Sequence, residues 1–117
     1  MAGQVSVEDG KRLTGRCPDE VTVEEAQARA RVCALNVLAQ IEAAAGLDNV
    51  EQVTQLIGFV LSADGFGDQP KVMNGASDLL VDVLGDAGRH TRAALGTNAL
   101  PFSVTVEIAA VAVVRTR

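Results

Sequence analysis

Apolar positions recur along this chain with two different periods, and the changes between them mark out its elements. Gln4–Val7 reads as a short strand, followed by a turn at Glu8-Asp9-Gly10 and a polar segment to Glu20. Thr22-Val23-Glu24-Glu25 is a capping box: the Thr22 hydroxyl can accept from the Glu25 amide while the Glu25 carboxylate reaches back. From there Ala26, Ala30, Cys33, Val37, Ile41 and Ala44 recur at helical spacing, with Arg29 beside Ala30, and Gly46 supplies the stop. Val50–Leu61 changes to strand character. Its first half sets Val53 and Ile57 against Thr54 and Gln55, and its second half, LIGFVL, is apolar on both faces. After the loop SADGFGD, Asp68 as N-cap and Pro70 in the first turn predict a second helix through Leu84, ending at Gly85. Its apolar stripe is Val72, Met73, Ala76, Leu79, Leu80 and Val83. Two strands follow, about Thr91–Thr97 and Ser103–Val114, joined by NALP.

The order β-α-β-α-β-β predicts an α+β fold, a mixed sheet with both helices on one face, formed by residues 1–117 as a single domain. In the last strand Val104, Val106, Ile108, Ala110 and Ala112 make an apolar face suited to the helices. The opposite face runs from Ser103, Thr105 and Glu107 to Ala109, Val111 and Val113, polar first and apolar later. With both helices on the first face, something else must cover Val111, Val113 and the second side of LIGFVL. Further copies of the chain are the simplest cover, so an assembly is expected.

Composition narrows the picture. The chain is 48% hydrophobic and 21% charged, with three Phe and no Trp or Tyr, so its core is built from small aliphatic side chains. A net charge of −5 and the lack of a basic stripe, with only short pairs such as Arg29/Arg31 and Arg115/Arg117, disfavour nucleic acid as a partner. Cys17 and Cys33 form no CxxC and His90 is the one histidine, which argues against a zinc site. Cys33 is expected to be buried on the first helix and Cys17 to be a loop thiol. No stretch has the apolar length of a membrane helix, and the N-terminal residues lack the features of a signal peptide, so a cytoplasmic protein is expected.

Two charges stand among small or apolar neighbours in predicted strands: Arg92 and Glu107. A charge in such a place must be solvated, paired or used. The two residues could pair with each other. Alternatively, Arg92 could hold a carboxylate through its planar fork, and Glu107 could hold and deprotonate a water. His90 reads as a surface residue, Glu24/Glu25 and Asp78/Asp82 as solvated helix faces, and Ser62, Ser77 and Ser103 lack the context of a catalytic triad.

Thr91-Arg92-Ala93, then Leu100-Pro101, then Val104-x-Val106-Glu107-Ile108 resembles the signature of the Rid (YjgF-type) reactive-intermediate deaminase family, also labelled L-PSP endoribonuclease-like. Gly3-Gln4 resembles the family's Ser-Gly-Gln turn, and Phe59–Asn74 its strand–loop–helix passage. The resemblance implies a chorismate-mutase-like fold assembled as a homotrimer, with small-molecule sites in clefts between subunits. It implies hydrolysis of reactive enamines and imines such as 2-aminoacrylate to keto acids and ammonia, with no metal or organic cofactor. Arg92 falls on the arginine that binds the substrate carboxylate and Glu107 on the glutamate associated with the site water. Gly3 falls on a backbone position lining the pocket, and Asn74 on a peripheral contact. Arg92 and Glu107 are accordingly expected on neighbouring strands, near one cleft. The chain departs from the pattern in three places. It begins almost at the Ser-Gly-Gln turn, without the family's preceding tyrosine-bearing hairpin. Ala2 replaces the serine, and Ala94 stands where a cysteine often follows the arginine. Three functions stay open: imine or enamine hydrolysis, non-catalytic binding of small carboxylates, and, least favoured, RNA cleavage or translation inhibition.

Overall fold

The computed structural model describes residues 3–115; Ala2 and Arg117, named above, lie outside them. The predicted first strand divides at Ser6 into β1, Gln4–Val5, and β2, Val7–Glu8, which forms a hairpin with β3, Lys11–Arg12. Ser6 is the corner. Its amide donates to Val106 O of the main sheet at 3.0 Å, and its hydroxyl donates to Leu13 O at 2.8 Å. The hairpin turns at Asp9 and Gly10, both at positive φ, the conformation that two-residue hairpin turns need.

Helix α1, Val23–Ala44, starts with the capping box that the sequence predicts: Glu25 N donates to Thr22 Oγ1 at 3.0 Å and Thr22 N to Glu25 Oε1 at 3.1 Å. The buried side runs from Ala26 through Cys33 and Val37 to Ile41, whereas Ala44 is exposed. Strand β4, Val50–Leu61, and helix α2, Gln69–Leu84, have the predicted bounds. Asp68 is the N-cap of α2 by position, but its side chain makes no capping bond, and Val83, expected in the buried stripe, is exposed. Strands β5, Thr91–Thr97, and β6, Val106–Val114, complete the sheet.

The sheet order is β1-β6-β4-β5, with β4 parallel to β5 and antiparallel to β6, and β6 antiparallel to β1. Both helices pack on one side of this mixed sheet, as expected for an α+β fold. The neighbouring placement of Arg92 and Glu107 is not found. β5 and β6 take opposite edges of β4, because α2 returns the chain to one edge and residues 98–105 carry it across to the other.

The last strand starts at Val106 rather than Ser103. Residues Pro101–Ser103 form a 3-10 turn in which Phe102 and Ser103 take positive φ, which ends the pleat that the sequence suggests. Thr105, expected on the open face beside Glu107, is fully buried. Its hydroxyl donates to Gly15 O and accepts from Arg29 Nη1, each at 2.9 Å. Cys17 is also buried rather than exposed in a loop, because its amide and carbonyl bond Leu61 O and Ala63 N and stitch the segment to the end of β4. The side of the sheet away from the helices carries Leu95, Val111 and Val113, each about half exposed (50%, 49% and 46%). Among the described residues, no helix is long and apolar enough to cross a membrane.

Candidate functional site

Arg92 lies at the level of Leu56 on edge strand β5, and its side chain reaches towards α2. Nη1 donates to Asn74 Oδ1 at 2.8 Å and to Ser77 Oγ at 3.2 Å. Asn74 and Ser77 are three residues apart, so one face of α2 presents both. Ser77 Oγ lies 2.9 Å from His90 Nε2, and His90 Nδ1 lies 2.6 Å from Gly88 O. A carbonyl can only accept, so in the neutral imidazole the hydrogen sits on Nδ1. Nε2 then accepts from the Ser77 hydroxyl, and Ser77 Oγ accepts from Arg92. Beside this chain lies a groove of about 250 Å³, lined by Ser77, Asp78, Val81, Arg89, His90 and Arg92. Among the described residues, the ion pairs are Arg16–Asp19 and Arg89–Asp86, and Arg92 takes part in neither. Arg92 is exposed, and among the described residues no carboxylate pairs with it.

Glu107 projects from the other side of the sheet. It pairs with Phe59 across β4, three positions along from Leu56, and its neighbours Val106 and Ile108 are buried beneath the helices. Strand alternation therefore turns Glu107 to the open side, whereas Arg92 turns to the helix side. The Arg92–Glu107 salt bridge weighed from the sequence does not exist within one chain. Gly3 does meet Glu107: a Cβ added there would fall 2.6 Å from Glu107 Oε2. The four residues singled out from the sequence thus form two groups. Arg92 and Asn74 stand together beside α2, and Gly3 and Glu107 stand together near the β1–β6 ladder.

Read from the sequence, His90 is a surface residue and Ser77 lacks a triad, whereas the structure joins both to Arg92. The signal was there in two short spacings, Asn74 to Ser77 at one helical turn and His90 to Arg92 at one strand repeat. Only the docking of α2 beside β5 joins them. The cysteines are elsewhere. Burial pushes the Cys33 thiol up to about 12, with the Glu107 charge adding to it, and burial also raises Cys17. Neither has the lowered pKa of a reactive thiol. Among the described residues, no group of His, Cys, Asp and Glu gathers as a metal site.

Residues 1–112 match the family described as "YjgF/chorismate_mutase-like, putative endoribonuclease". The chain is 46% identical over 111 residues to Protein TCP17 of Trypanosoma cruzi, a match spanning 92% of this chain and 69% of that one. The crystal structure of Atu1372 from Agrobacterium tumefaciens, a protein of unknown function, superposes with a TM-score of 0.94 at 44% identity, over 97% of this chain and 74% of that one. A "putative endoribonuclease" from Shewanella oneidensis gives 0.91 at 31% identity, over 96% and 76%. The signature around Arg92 and Glu107, the two helices on a mixed sheet and these matches agree: the chain belongs to the YjgF/chorismate-mutase-like, Rid-type family.

Proposed function

We propose that the protein hydrolyses small 2-imino acids, and their enamine tautomers, to keto acids and ammonia in sites built between copies of the chain. One observation carries the reading: an exposed arginine, with no carboxylate partner among the described residues, is held by Asn74 and Ser77 at the rim of a groove. Arg92 would take the substrate carboxylate and fix the adjacent C=N carbon. Water held by Glu107 then adds to that carbon and gives its proton to the carboxylate. That proton passes to nitrogen to give a carbinolamine. The Glu107 carboxylate then takes the hydroxyl proton and delivers it to nitrogen as the C–N bond breaks, so that C=O forms and ammonia leaves a keto acid.

The separation of Arg92 from Glu107 gives this reading its particular form. In one chain they face opposite sides of the sheet, with β4 between them. A single small molecule can meet both only where Arg92 of one chain approaches Glu107 and Gly3 of another. The half-exposed Leu95, Val111 and Val113 and the unpaired edge of β5 supply surfaces for such contacts, and a homotrimer is the assembly proposed. The same separation favours a second reading, in which Arg92 binds small carboxylates without turnover.

Release of keto acid or ammonia from freshly generated 2-iminopropionate tests the activity. Arg92→Ala is expected to lower kcat/KM about 30- to 1000-fold, and Arg92→Lys nearly as much, because an ammonium cannot form the two parallel bonds. Glu107→Gln should spare pyruvate binding and slow turnover. The decisive test dissociates and remixes equal amounts of the inactive Arg92→Ala and Glu107→Gln chains. Sites shared between chains should recover to about a quarter of wild-type activity, since random mixing restores both residues to that fraction of them. No recovery in properly assembled mixtures would overturn a site shared by Arg92 and Glu107. Pyruvate binding by an inactive wild type would establish the second reading, and RNA binding that weakens with salt would point to nucleic acid instead.

A further inference from the structure

Building on the reading of Arg92 as a carboxylate anchor, we propose that Ser77 and His90 are its positioning residues, and that they couple anion binding at Arg92 to protonation of His90. Both bonds from α2 fall on one nitrogen, Nη1, which donates to Asn74 Oδ1 and Ser77 Oγ. Among the described residues no protein group bonds Nε or Nη2, so that edge of the fork is the one offered to a carboxylate. The Ser77 acceptor is itself held in direction. Its hydroxyl hydrogen is committed to His90 Nε2, and His90 is turned by the bond from Nδ1 to Gly88 O. Asn74 alone would leave the guanidinium free to rotate about one contact; Ser77 makes the second.

Protonation changes this chain in a defined way. Nε2 becomes a donor, and Ser77 Oγ then accepts from both His90 and Arg92, as its two lone pairs allow. The hydroxyl hydrogen is released towards the groove. The site gains one positive charge and one O–H donor, and both favour an anion. The other charges there are Asp78 from α2, which opposes, and Arg89, which is paired with Asp86 at 3.1 Å. On the sheet side β4 contributes neutral groups: Gln52 bonds Arg89 O, and Thr54 O accepts from the Thr91 hydroxyl. Protonation of His90 therefore adds to a site already dominated by Arg92.

The test measures pyruvate binding by calorimetry from about pH 5.5 to about pH 8, the span in which imidazoles change charge. Wild type should bind several-fold more tightly at the acidic end. Ser77→Ala should bind about tenfold more weakly, as expected for losing a bond to a charged donor, and Ser77→Thr, which keeps the hydroxyl, should restore binding. His90→Gln should bind with little pH dependence. In the free protein, nitrogen NMR of His90 should show the Nδ1–H tautomer, a readout that needs no ligand and no turnover. Wild-type binding in folded Ser77→Ala, an unchanged pH slope in His90→Gln, or the Nε2–H tautomer would each overturn the coupling while leaving Arg92 as the anchor. A wild type with the Nδ1–H tautomer that neither binds pyruvate nor hydrolyses imine would overturn the anchor and the coupling together.

Discussion

Gly3, Gly58 and Gly75 are each pressed by a different kind of neighbour, and the neighbour decides what a methyl group would do. At Gly3 the added carbon meets the Glu107 carboxylate, the free end of a flexible side chain. Gly3→Ala should therefore fold normally yet move Glu107, lowering imine turnover without changing the unfolding midpoint. At Gly58 it would come 2.0 Å from Met73 Sδ, and at Gly75 2.1 Å from Gln27 O, which is backbone. A thioether can give way more easily than a carbonyl in a helix. Gly75→Ala should cost about 1–3 kcal/mol in urea unfolding despite alanine's helix preference, and Gly58→Ala less. Combining Gly58→Ala with Met73→Ala should cost less than the sum of the single changes, because the truncation vacates the contested space. The Cys33 thiol carries a pH prediction. It ionises at its ordinary value of 9.0 in the unfolded chain and near 12 in the fold, where burial disfavours the thiolate. Its contribution to stability is fully present below pH 9.0 and is lost as the pH rises towards about 12, which unfolding curves across that window would record. At pH 8 a thiol reagent should modify Cys33 only as fast as the protein opens.

At the scale of elements, what the sequence made legible was whatever depends on local chemistry. The Thr22–Glu25 box, the bounds of β4 and α2 and the stop at Gly85 are written in residues a few positions apart, and each stands where the pattern put it. The start of β6 does not, because Phe102 and Ser103 adopt positive φ without being glycine, and no local residue preference announces that. The burial of Thr105 depends on Gly15 and Arg29, both remote in sequence. The candidate site divides in the same manner. Arg92 and Glu107 are visible as isolated charges and through the family signature, whereas their placement on opposite sides of β4 is a property of strand order, which the alternation of residues does not encode. Ser77 and His90 become partners only when α2 is laid beside β5. The capping box offers a direct check at this scale. Thr22→Ala should remove about 1 kcal/mol from unfolding stability. Its bonds also hold the Glu25 carboxyl below its ordinary 4.5, through the Thr22 amide first and the Thr22 hydroxyl second. That lowered value means the carboxylate's share of the box contributes above the usual carboxylate range and fades as the pH falls through it, so the cost of Glu25→Ala should shrink in acid.

At the scale of the whole molecule, the open side of the sheet makes the proposed trimer testable apart from catalysis. Val111→Asp would set a charge into the proposed contact, and light scattering should then report a smaller species than wild type. A folded wild-type monomer at micromolar concentration would remove the assembly and, with it, the shared site. The β1–β6 ladder has a different consequence. Gln4 pairs with Ile108 and Val5 with Glu107, partners over a hundred residues apart, and the Ser6 corner bonds Val106 beside them. On the ribosome Gln4 and Val5 emerge long before their partners exist. The β1–β6 pairing and the position of Gly3 beside Glu107 must wait until β6 has been made, although Leu13, and Asn36 of α1, can already bond the residues around Ser6. Closing so long a loop is a slow kind of contact to form. The contact of Gly3 with Glu107 is therefore among the last to form, and a nascent chain stalled before residue 106 would hold Arg92 and α2, with Val5 and Val7 bonded to Asn36 of α1, but would have no Glu107 beside Gly3.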